Sequence, residues 1–245
     1  MDDVPSRDLG TPTGDFELSR LESTRPSESM AEQVVRVLRS SIVTLRLTPG
    51  TALSEQDIAK RLEVSRQPVR EAFIKLSEVG LVRILPQRGT FVVKISRKAV
   101  TDARFVREAV ECAISRRAAQ EIAPEAIDTL RDLIAEQKAA ARAASPEDFF
   151  MLDEAYHRCL AEGAGCAYAW KVIGEAKAQM DRVRFLRLSE TTPMDHLIAH
   201  HQDILEAIVA KDADAAEAAM KIHLRGILQS LPRLAQAFPD LFEPR

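Results

Sequence analysis

The sequence predicts a mainly α protein with an N-terminal winged helix-turn-helix and a C-terminal all-α antiparallel helical bundle. Residues 53–93 have the pattern of two short helices followed by two short β-type runs. From residue 97 onward, apolar residues recur at helical spacing and no run is typical of a strand. The composition is 46% hydrophobic but only 5% aromatic, with alanine-rich runs in the second half, which favours helices over sheet.

The first 27 residues are rich in Asp, Pro, Ser, Thr and Gly and lack a sustained apolar period. We therefore expect a disordered or loosely attached arm at 1–27. From Glu28 to Leu47, apolar residues recur at helical spacing until Pro49-Gly50 interrupts the pattern. This stretch is the first predicted helix.

Two helices joined by a tight turn are predicted next. Ser54 is typical of a helix N-cap, and Glu63-Val64-Ser65 interrupts the apolar pattern before a second helix begins near Arg66. Pro68 is compatible with a first helical turn, where its missing N–H has no intrahelical partner. The second helix carries an apolar stripe at i, i+3, i+4 and i+7, formed by Val69, Ala72, Phe73 and Leu76.

Polar donors are concentrated at the exposed N-terminal end of this second helix. The apolar stripe leaves Arg66, Gln67 and Arg70 on or near the exposed side of its first two turns. Guanidinium groups bind phosphates and guanine edges, and a carboxamide can bind adenine. We therefore predict a DNA recognition helix whose contacts include these three residues and Ser65 just before them.

A β-hairpin is predicted after Gly80, which is typical of a helix terminator. Its strands are Leu81–Leu85 and Thr90–Val93, and its turn carries Arg88 beside Gly89. Residues 30–97 hold 12 Lys and Arg against 6 Asp and Glu, whereas the stretches on either side are net acidic. Because the basic excess coincides with the recognition helix and the hairpin, we predict that Arg88 and Gly89 also contact DNA.

Three segments resemble the GntR family of bacterial transcription regulators. They are PGTALSE at Pro49–Glu55, VSRQPVREAFIKL at Val64–Leu76 and PQRGTFV at Pro86–Val92. The resemblance implies a winged helix-turn-helix that binds a double-stranded DNA operator. Many members carry arginine at the position of Gln56, where it touches DNA, so the sequence departs from the family at this contact. A helical pair that does not bind nucleic acid is the alternative.

Six helices are predicted in the second half, separated by proline, glycine or polar breaks. Their approximate ranges are 97–121, 125–144, 146–162, 166–188, 193–210 and 212–231. Their lengths and order resemble the FCD effector-binding domain of the FadR-type branch of the family, so the resemblance covers residues 30–235. The predicted domains are 28–96 for DNA binding and 97–235 for the bundle, with a C-terminal tail at 236–245.

Four ionisable side chains are predicted to face the interior of the bundle. Asp153 and His157 are four residues apart on the apolar face of one helix, so their side chains meet. A step of about 100° per residue places His201 near the centre of the apolar stripe of the next-to-last helix. On the same step, His223 lies about 60° from the stripe of the last helix. A carboxylate and imidazoles that converge are typical ligands of a divalent metal ion.

A metal site and a hydrogen-bonded core cluster are the two interpretations of these residues. A single histidine on an apolar face is usually a core residue, but several unpaired buried polar groups would each cost about 1–3 kcal/mol. The resemblance adds that metal-binding members of the family use an Asp-x3-His pair and two later histidines, which correspond to Asp153, His157, His201 and His223. Such ligation favours Zn²⁺ or Ni²⁺, and Mn²⁺ or Fe²⁺ remain compatible with one carboxylate.

Two arginines are candidates for binding the carboxylate of an effector. Arg107 shares a helix face with apolar residues, where an arginine needs an anionic partner. That partner is either an effector carboxylate or an acidic residue of another helix. Arg184 is a weaker candidate of the same type. A small organic or sugar acid would then occupy open coordination positions at the metal.

The leading functional hypothesis is a ligand-responsive transcription regulator, and we expect a repressor. A homodimer would place two recognition helices about one turn apart on near-palindromic DNA. The recognition helix and wing are similar to those of regulators of sugar-acid or mannonate-type catabolism, while the effector and the sign of its action stay open. No apolar run is long enough to cross a bilayer and no signal-type segment follows the acidic start, so we expect a cytoplasmic protein with no membrane partner.

Two alternatives are a metal-dependent enzyme fused to a DNA-binding domain and a constitutive regulator whose bundle only dimerises. A metal ion held by Asp and His side chains could activate water. Against the enzyme, the sequence places no further Glu or His convincingly on an inward face as a general base. His196 and His200 are expected to point away from the interior. We therefore expect no enzymatic activity.

Overall fold

A computed structural model describes residues 28–190 and 193–244, together with the isolated positions 18 and 21. Apart from those two positions, the predicted N-terminal arm at 1–27 lies outside the described residues. The chain forms two compact units. The first holds the described residues up to Ile42 and Arg46–Val93, and the second holds Val43–Leu45 and the described residues from Lys94 onward. The mainly α fold class predicted from the sequence is confirmed.

Within the described residues, the first unit contains three helices and a three-stranded antiparallel sheet. The helices are α1 (Met30–Val43), α2 (Glu55–Arg61) and α3 (Arg66–Glu78), and the strands are β1 (Ala52–Leu53), β2 (Val82–Leu85) and β3 (Gly89–Val92). The strand order is β1-β3-β2. The predicted hairpin is formed by β2 and β3, whereas β1 was not predicted, because two residues carry no readable periodicity.

The helix-turn-helix forms for reasons that are local to its sequence. The Ser54 hydroxyl accepts a hydrogen bond from the backbone N–H of Asp57, which confirms the predicted N-cap of α2. Gly80, with φ of 69°, lies just past α3, and Gly89, with φ of 103°, lies in the hairpin turn, a backbone region that favours glycine. The apolar stripe predicted for α3 is buried, namely Val69, Ala72, Phe73 and Leu76.

The second unit is helical throughout its described residues. Its helices are α4 (Arg97–Glu121), α5 (Pro124–Arg142), α6 (Pro146–Gly163), α7 (Ala167–Ala176), α8 (Ala178–Glu190), α9 (Met194–Val209) and α10 (Ala213–Ala237), followed by a 3-10 helix at Pro239–Leu241. Side chains of Ser96, Ser145 and Asp212 accept a backbone N–H at the starts of α4, α6 and α10, as helix caps do. Among the described residues, no helix is both long enough and apolar enough to cross a membrane.

The interior of the second unit combines close helix packing with buried polar groups. Helix α4 packs on α10, α5 on α6, and α9 on α10. Small buried residues such as Ala118 and Ala216 allow these helices to approach closely. The same interior buries several ionisable side chains, including Arg107, Glu111, Asp153, His157, His201 and His223. Helix packing therefore carries polar groups from α4, α6, α9 and α10 to one place.

The predicted helix at 166–188 is wrong as a single element, because the chain is interrupted at Lys177 between α7 and α8. The Lys177 ammonium group is buried and pairs with Asp181 at 2.9 Å and with Glu154. A buried ammonium group is stable only when it is paired, so these contacts fix the chain at the interruption.

Two predicted ends also differ from the structure. Helix α1 ends at Val43 and not at Leu47, and the predicted C-terminal tail at 236–245 includes the end of α10 and a buried residue. Helix α10 continues through Pro232 to Ala237. Phe242 is buried and pairs with Ile95 in an isolated parallel bridge.

Gly163→Ala should destabilise the second unit by about 1–3 kcal/mol, since overpacking forces neighbouring helices apart. A Cβ at Gly163 would lie 2.5 Å from the Cβ of Ala126. Gly174→Ala is the matched control, because a Cβ there meets no atom within 4 Å and alanine is favoured in a helix by up to about 1 kcal/mol. Chemical denaturation measures both variants, and equal stabilities would contradict the tight contact of α5 with α6.

Candidate nucleic-acid interface and candidate metal centre

The first unit presents a cationic groove formed by α2, α3 and the hairpin. The groove has a volume of about 700 Å³ and is lined by Arg66, Arg70 and Arg88, among others. The side chains of Arg66 and Arg70 are 63% and 56% exposed. All residues predicted to contact DNA are exposed, namely Ser65, Arg66, Gln67, Arg70, Arg88 and Gly89. The fold thus brings the basic residues of the recognition helix and the wing to one surface.

A carboxylate that was not predicted from the sequence orders the two arginines of α3. Glu55, the first residue of α2, accepts a hydrogen bond from Arg66 Nη2 at 3.0 Å and from Arg70 Nε and Nη2, both at 3.0 Å. The Arg70 hydrogen bond is the main cause of a lowered pKa at Glu55. Both guanidinium groups are therefore held in a fixed orientation while they remain exposed. Glu55 and Arg70 are 15 residues apart, so only the fold shows this pairing.

The other members of the predicted DNA-contact set are presented differently. Ser65 precedes α3 in an extended conformation, and its side chain does not cap the helix. Gln67 Nε2 donates to Glu71 Oε1 at 2.9 Å, one turn further along α3. Gln56 lines the same groove as the arginines. Its carboxamide therefore has access to a ligand in the groove.

Four side chains from three helices meet in the interior of the second unit. Asp153 and His157 come from α6, His201 from α9 and His223 from α10. One ligand atom of each lies within 4.8 Å of the ligand atoms of the others. All four residues are buried, with His223 the most exposed at 8%. The convergence expected from the helix faces is therefore present in the fold.

Two acceptors that were not predicted from the sequence orient the imidazoles. Glu111 Oε2 on α4 lies 2.6 Å from His157 Nδ1, and Gln137 Oε1 on α5 lies 2.8 Å from His201 Nδ1. With a proton on each Nδ1, the lone pair of each ring is on Nε2 and is directed at the cluster. His201 Nε2 has no hydrogen-bond partner among the described residues. The expectation that no further glutamate faces inward is wrong, because Glu111 is buried there.

The Nε2 atoms of His157 and His223 lie 3.1 Å apart. Two neutral imidazole nitrogens at this distance need one N–H donor between them, because two lone pairs repel each other unless a cation lies between them. His223 Nδ1 has no hydrogen-bond partner within the described part of the chain, so no neighbouring group fixes the tautomer of His223. This pair is compatible with one hydrogen bond or with two nitrogens that share a cation.

Electrostatics at the cluster favour an ionised Asp153 and neutral His201 and His223. Burial acts to raise the pKa of Asp153, but the nearby Arg184 guanidinium and the histidines outweigh it, so its pKa is lowered. Burial lowers the pKa of His201 to about 3. Burial and the neighbouring imidazoles also hold the pKa of His223 well below its usual value. At neutral pH, these residues have the protonation states in which Asp and His bind metal ions.

The donor set fits a divalent transition-metal ion. One carboxylate and three imidazoles provide borderline ligation, and a ligating histidine usually donates its other ring N–H to a carboxylate or carbonyl. His201 has such an acceptor in Gln137, and the Glu111 carboxylate lies 2.6 Å from His157 Nδ1. The unpartnered Nε2 of His201 is the group that a metal ion would satisfy, because a buried acceptor without a partner is unfavourable.

Arg107 and Arg184 both lie beside the cluster, and each has carboxylate partners. Arg107 is 1% exposed, and its Nη2 lies 3.2 Å from Glu111 Oε2 on the same helix. The predicted alternative of a salt bridge to another helix is therefore corrected to an i, i+4 pair within α4. Arg184 is shared among three carboxylates, those of Asp153, Glu154 and Asp181. The charge of both arginines is compensated within the protein.

A small cavity lies beside the cluster. Its volume is about 30 Å³, and its lining includes Arg107, Asp153, Arg184, Arg187 and His223. This volume matches about one water molecule. Arg187 was not predicted from the sequence as a site residue. Burial lowers its pKa, and the nearby Arg184 lowers it further. Three guanidinium groups therefore border the cavity next to the cluster, and those of Arg107 and Arg184 are paired with carboxylates.

Two family descriptions match the chain. The description "Bacterial regulatory proteins, gntR family" matches residues 30–92, and the description "FCD domain" matches residues 102–226. The first match spans α1 to β3. The second includes the four residues of the cluster and most of the helices around them.

Relatives and solved structures have the same organisation. The chain is 42% identical over 217 residues to the HTH-type transcriptional repressor RspR of Escherichia coli K12, a match that covers 89% of this chain and 95% of the relative. It is 29% identical over 204 residues to a probable D-xylose utilization operon transcriptional repressor of Paenarthrobacter nicotinovorans, with 82% and 88% covered. The structure of E. coli McbR/YncC has the same fold, with a TM-score of 0.74, 19% identity, and 86% and 99% covered.

Glu111→Gln should lower the free energy of unfolding of the metal-free protein by about 3–5 kcal/mol, because Arg107 would be left as an uncompensated buried charge. Glu121→Gln is the control on the same helix. Glu121 pairs with Arg117, and their side chains are 63% and 53% exposed, so we expect a loss of about 1 kcal/mol or less. Urea denaturation measures both, and losses of equal size would contradict the role of Glu111 as the counter-ion of Arg107.

Proposed function

The chain belongs to the GntR family of bacterial regulatory proteins, and on this basis we propose that it is a ligand-responsive transcriptional repressor. Its first unit binds an operator, and its FCD domain senses a small organic or sugar acid at a buried divalent metal ion. The observation that carries the proposal is the convergence of Asp153, His157, His201 and His223, whose ligand atoms lie within 4.8 Å of one another. Like its relatives, the chain is a transcription regulator and not an enzyme.

DNA binding is assigned to the cationic groove of the first unit. Ser65, Arg66, Gln67 and Arg70 belong to the recognition helix, and Arg88 and Gly89 belong to the wing. Arg70 is aligned by two hydrogen bonds to Glu55, so its guanidinium group is preorganised for a base edge or phosphate. Repression is supported by the name of the E. coli relative, which covers 89% of this chain.

The metal centre is assigned to Asp153, His157, His201 and His223, with Zn²⁺ or Ni²⁺ favoured and Mn²⁺ or Fe²⁺ compatible. When bound, a divalent ion supplies a Lewis acid that attracts a carboxylate. Glu111 and Gln137 hold two of the imidazoles in the orientation in which Nε2 faces inward. Because the ligands come from α6, α9 and α10, a bound ion would also link these three helices.

The effector is proposed to be a small carboxylate, bound with the help of Arg107 and Arg184. Both line the cavity beside the cluster, and Arg187 adds a third guanidinium group to its wall. Guanidinium groups bind carboxylates by paired hydrogen bonds, which makes this wall suitable for an organic or sugar acid. The name of the P. nicotinovorans relative, a D-xylose utilization repressor, supports an effector from sugar metabolism.

Binding of the effector would require α8 to move. The cavity has room for about one water molecule, so a sugar acid needs displacement of Arg184 or Arg187, which both lie on α8. The same helix contacts the segment that follows β3. Arg182 Nη2 lies 3.4 Å from the Lys94 carbonyl, and Gln179 Oε1 accepts from the backbone N–H of Ser96 at 3.4 Å. A shift of α8 would therefore reach the connection to the DNA-binding unit.

A homodimer on a near-palindromic operator is the proposed functional assembly. Two recognition helices related by a twofold axis read two half-sites about one helical turn apart. We place the protein in the cytoplasm, with no membrane partner, and we assign residues 28–96 to DNA binding and 97–235 to sensing.

His201→Ala should reduce the amount of metal that co-purifies with untagged protein and weaken Zn²⁺ binding by about 10-fold or more. The reason is that His201 contributes an inward Nε2 held by Gln137. Elemental analysis measures the metal content, and calorimetric titration measures the affinity for Zn²⁺. A chelator should lower the melting temperature of the metal-loaded protein and leave that of the metal-free protein unchanged.

Gln202→Ala on the same helix is the control and should leave metal content unchanged. The metal proposal would be contradicted if the unaltered protein contained no metal and its melting temperature did not change on addition of Zn²⁺ or Ni²⁺. The bundle would then be explained by dimerisation alone. Wild-type metal content in His201→Ala would remove this residue from the ligand set.

Arg70→Ala should weaken operator binding by about 1–3 kcal/mol, because an aligned contact to DNA is lost. Glu55→Gln should act differently. Loss of the carboxylate releases both arginines, and this lowers the preference for the operator. It also removes a negative charge from the groove, and this strengthens binding to unrelated DNA. Fluorescence anisotropy with operator and unrelated duplexes, at several salt concentrations, measures both affinities.

Lys138→Ala, which removes a cation from α5 in the second unit, is the control for charge alone and should leave both affinities unchanged. If Glu55→Gln lowered both affinities by the same factor, Glu55 would have a merely structural role. Retained operator affinity in Arg70→Ala would contradict the recognition-helix assignment.

A further inference from the structure

All five histidines of the chain lie in one continuous series of neighbouring rings. The ring centroids of His196 and His200 are 4.3 Å apart, and those of His200 and His223 are 5.8 Å apart. His223 in turn lies 4.7 Å from His201 and 5.0 Å from His157. The series links the outer face of α9 to the buried cluster. The expectation that His200 points away from the interior is therefore wrong.

Exposure falls along this series. His196 is exposed and His200 is half-buried. His223 is 8% exposed, His157 2% and His201 0%. His200 Nδ1 is itself buried and has no hydrogen-bond partner within the described part of the chain. A ring nitrogen without a protein partner thus lies between the surface and the cluster.

We infer that His196 and His200 form a surface site for a divalent transition-metal ion, from which the ion is transferred to the buried cluster. The inference rests on the proposed metal centre, because it concerns how an ion reaches that centre. His196 and His200 are one turn apart on α9, so both imidazoles can bind one ion that keeps the rest of its water shell. His200 then holds the ion beside His223, the first ligand of the cluster on this route.

The need for such a route follows from the burial of the cluster. A hydrated divalent ion that enters an apolar interior must lose water, and loss without replacement is very unfavourable. Stepwise exchange of water for imidazole nitrogens avoids a bare ion at every stage. Without these two histidines, entry of the ion from solvent into the cluster would require local opening of α9 or α10, whose inner faces are buried in the core.

A transfer site has a kinetic signature that distinguishes it from a ligand. A group that contacts the ion only on the route lowers the barrier in both directions, so it changes association and dissociation by the same factor. The equilibrium Kd then stays the same. A true ligand, such as His201, changes Kd when it is removed.

The test uses the full-length, untagged protein stripped of metal, with Zn²⁺ as the probe. Stopped-flow mixing with a chromophoric chelator measures association and dissociation rates for His196→Ala and for His200→Gln, which keeps a polar side chain of similar size. We expect both rates to fall by about tenfold or more, equivalent to a barrier higher by about 1.4 kcal/mol, with Kd unchanged. Gln202→Ala on α9 should exchange Zn²⁺ like the unaltered protein.

Unchanged rates in both variants would overturn the transfer site. A rise in Kd for His200→Gln as large as that for His201→Ala would also overturn it, since His200 would then be a ligand of the buried centre. If the unaltered protein bound no Zn²⁺, the metal centre itself would fail, which is distinguishable from normal binding at unchanged rates.

Discussion

Compensation of buried charge at the centre of the helical unit is the constraint on which the rest of the structure depends. Arg107 and Glu111 are almost completely buried, and Glu111 also contacts His157. Arg184 pairs with Asp153, Glu154 and Asp181, and Lys177 pairs with the last two of these carboxylates. A pair of buried ions seldom adds stability over an apolar core, so such a network is better explained by a function than by folding. The polar interior therefore supports the proposed sensing site in addition to its donor geometry.

A carboxylate serves the same purpose in each unit. Glu55 aligns Arg66 and Arg70 at the exposed groove, and Glu111 aligns His157 and Arg107 in the interior. Neither glutamate belongs to the groups proposed to contact DNA or metal. Each restricts the orientation of those groups, so that less conformational freedom is lost when the ligand binds. The two sites differ in exposure. The arginines beside Glu55 are exposed and available to a large polyanion, whereas the cluster beside Glu111 is buried, which suits the proposed ion and small acid.

Much of the fold and the donor set was predictable, because helical periodicity reports which face of each helix is buried. Asp153, His157, His201 and His223 were assigned to inward faces from spacing alone, and the fold brings them together. The partners of these residues were not predictable in the same way. Gln137 lies 64 residues from His201, and such a pairing depends on how α5 and α9 pack. The interruption at Lys177 and the burial of Phe242 likewise depend on tertiary contacts that composition does not encode.

X-ray diffraction from crystals of the untagged protein, recorded on both sides of the absorption edge of the bound metal, tests the central claim most directly. The account predicts one anomalous peak inside the helical unit, at about 2.0–2.2 Å from a ligand atom of each of Asp153, His157, His201 and His223. Absence of a peak there, in crystals of protein supplied with Zn²⁺ and Ni²⁺, would contradict it. A peak that is bound only by other residues would contradict it equally.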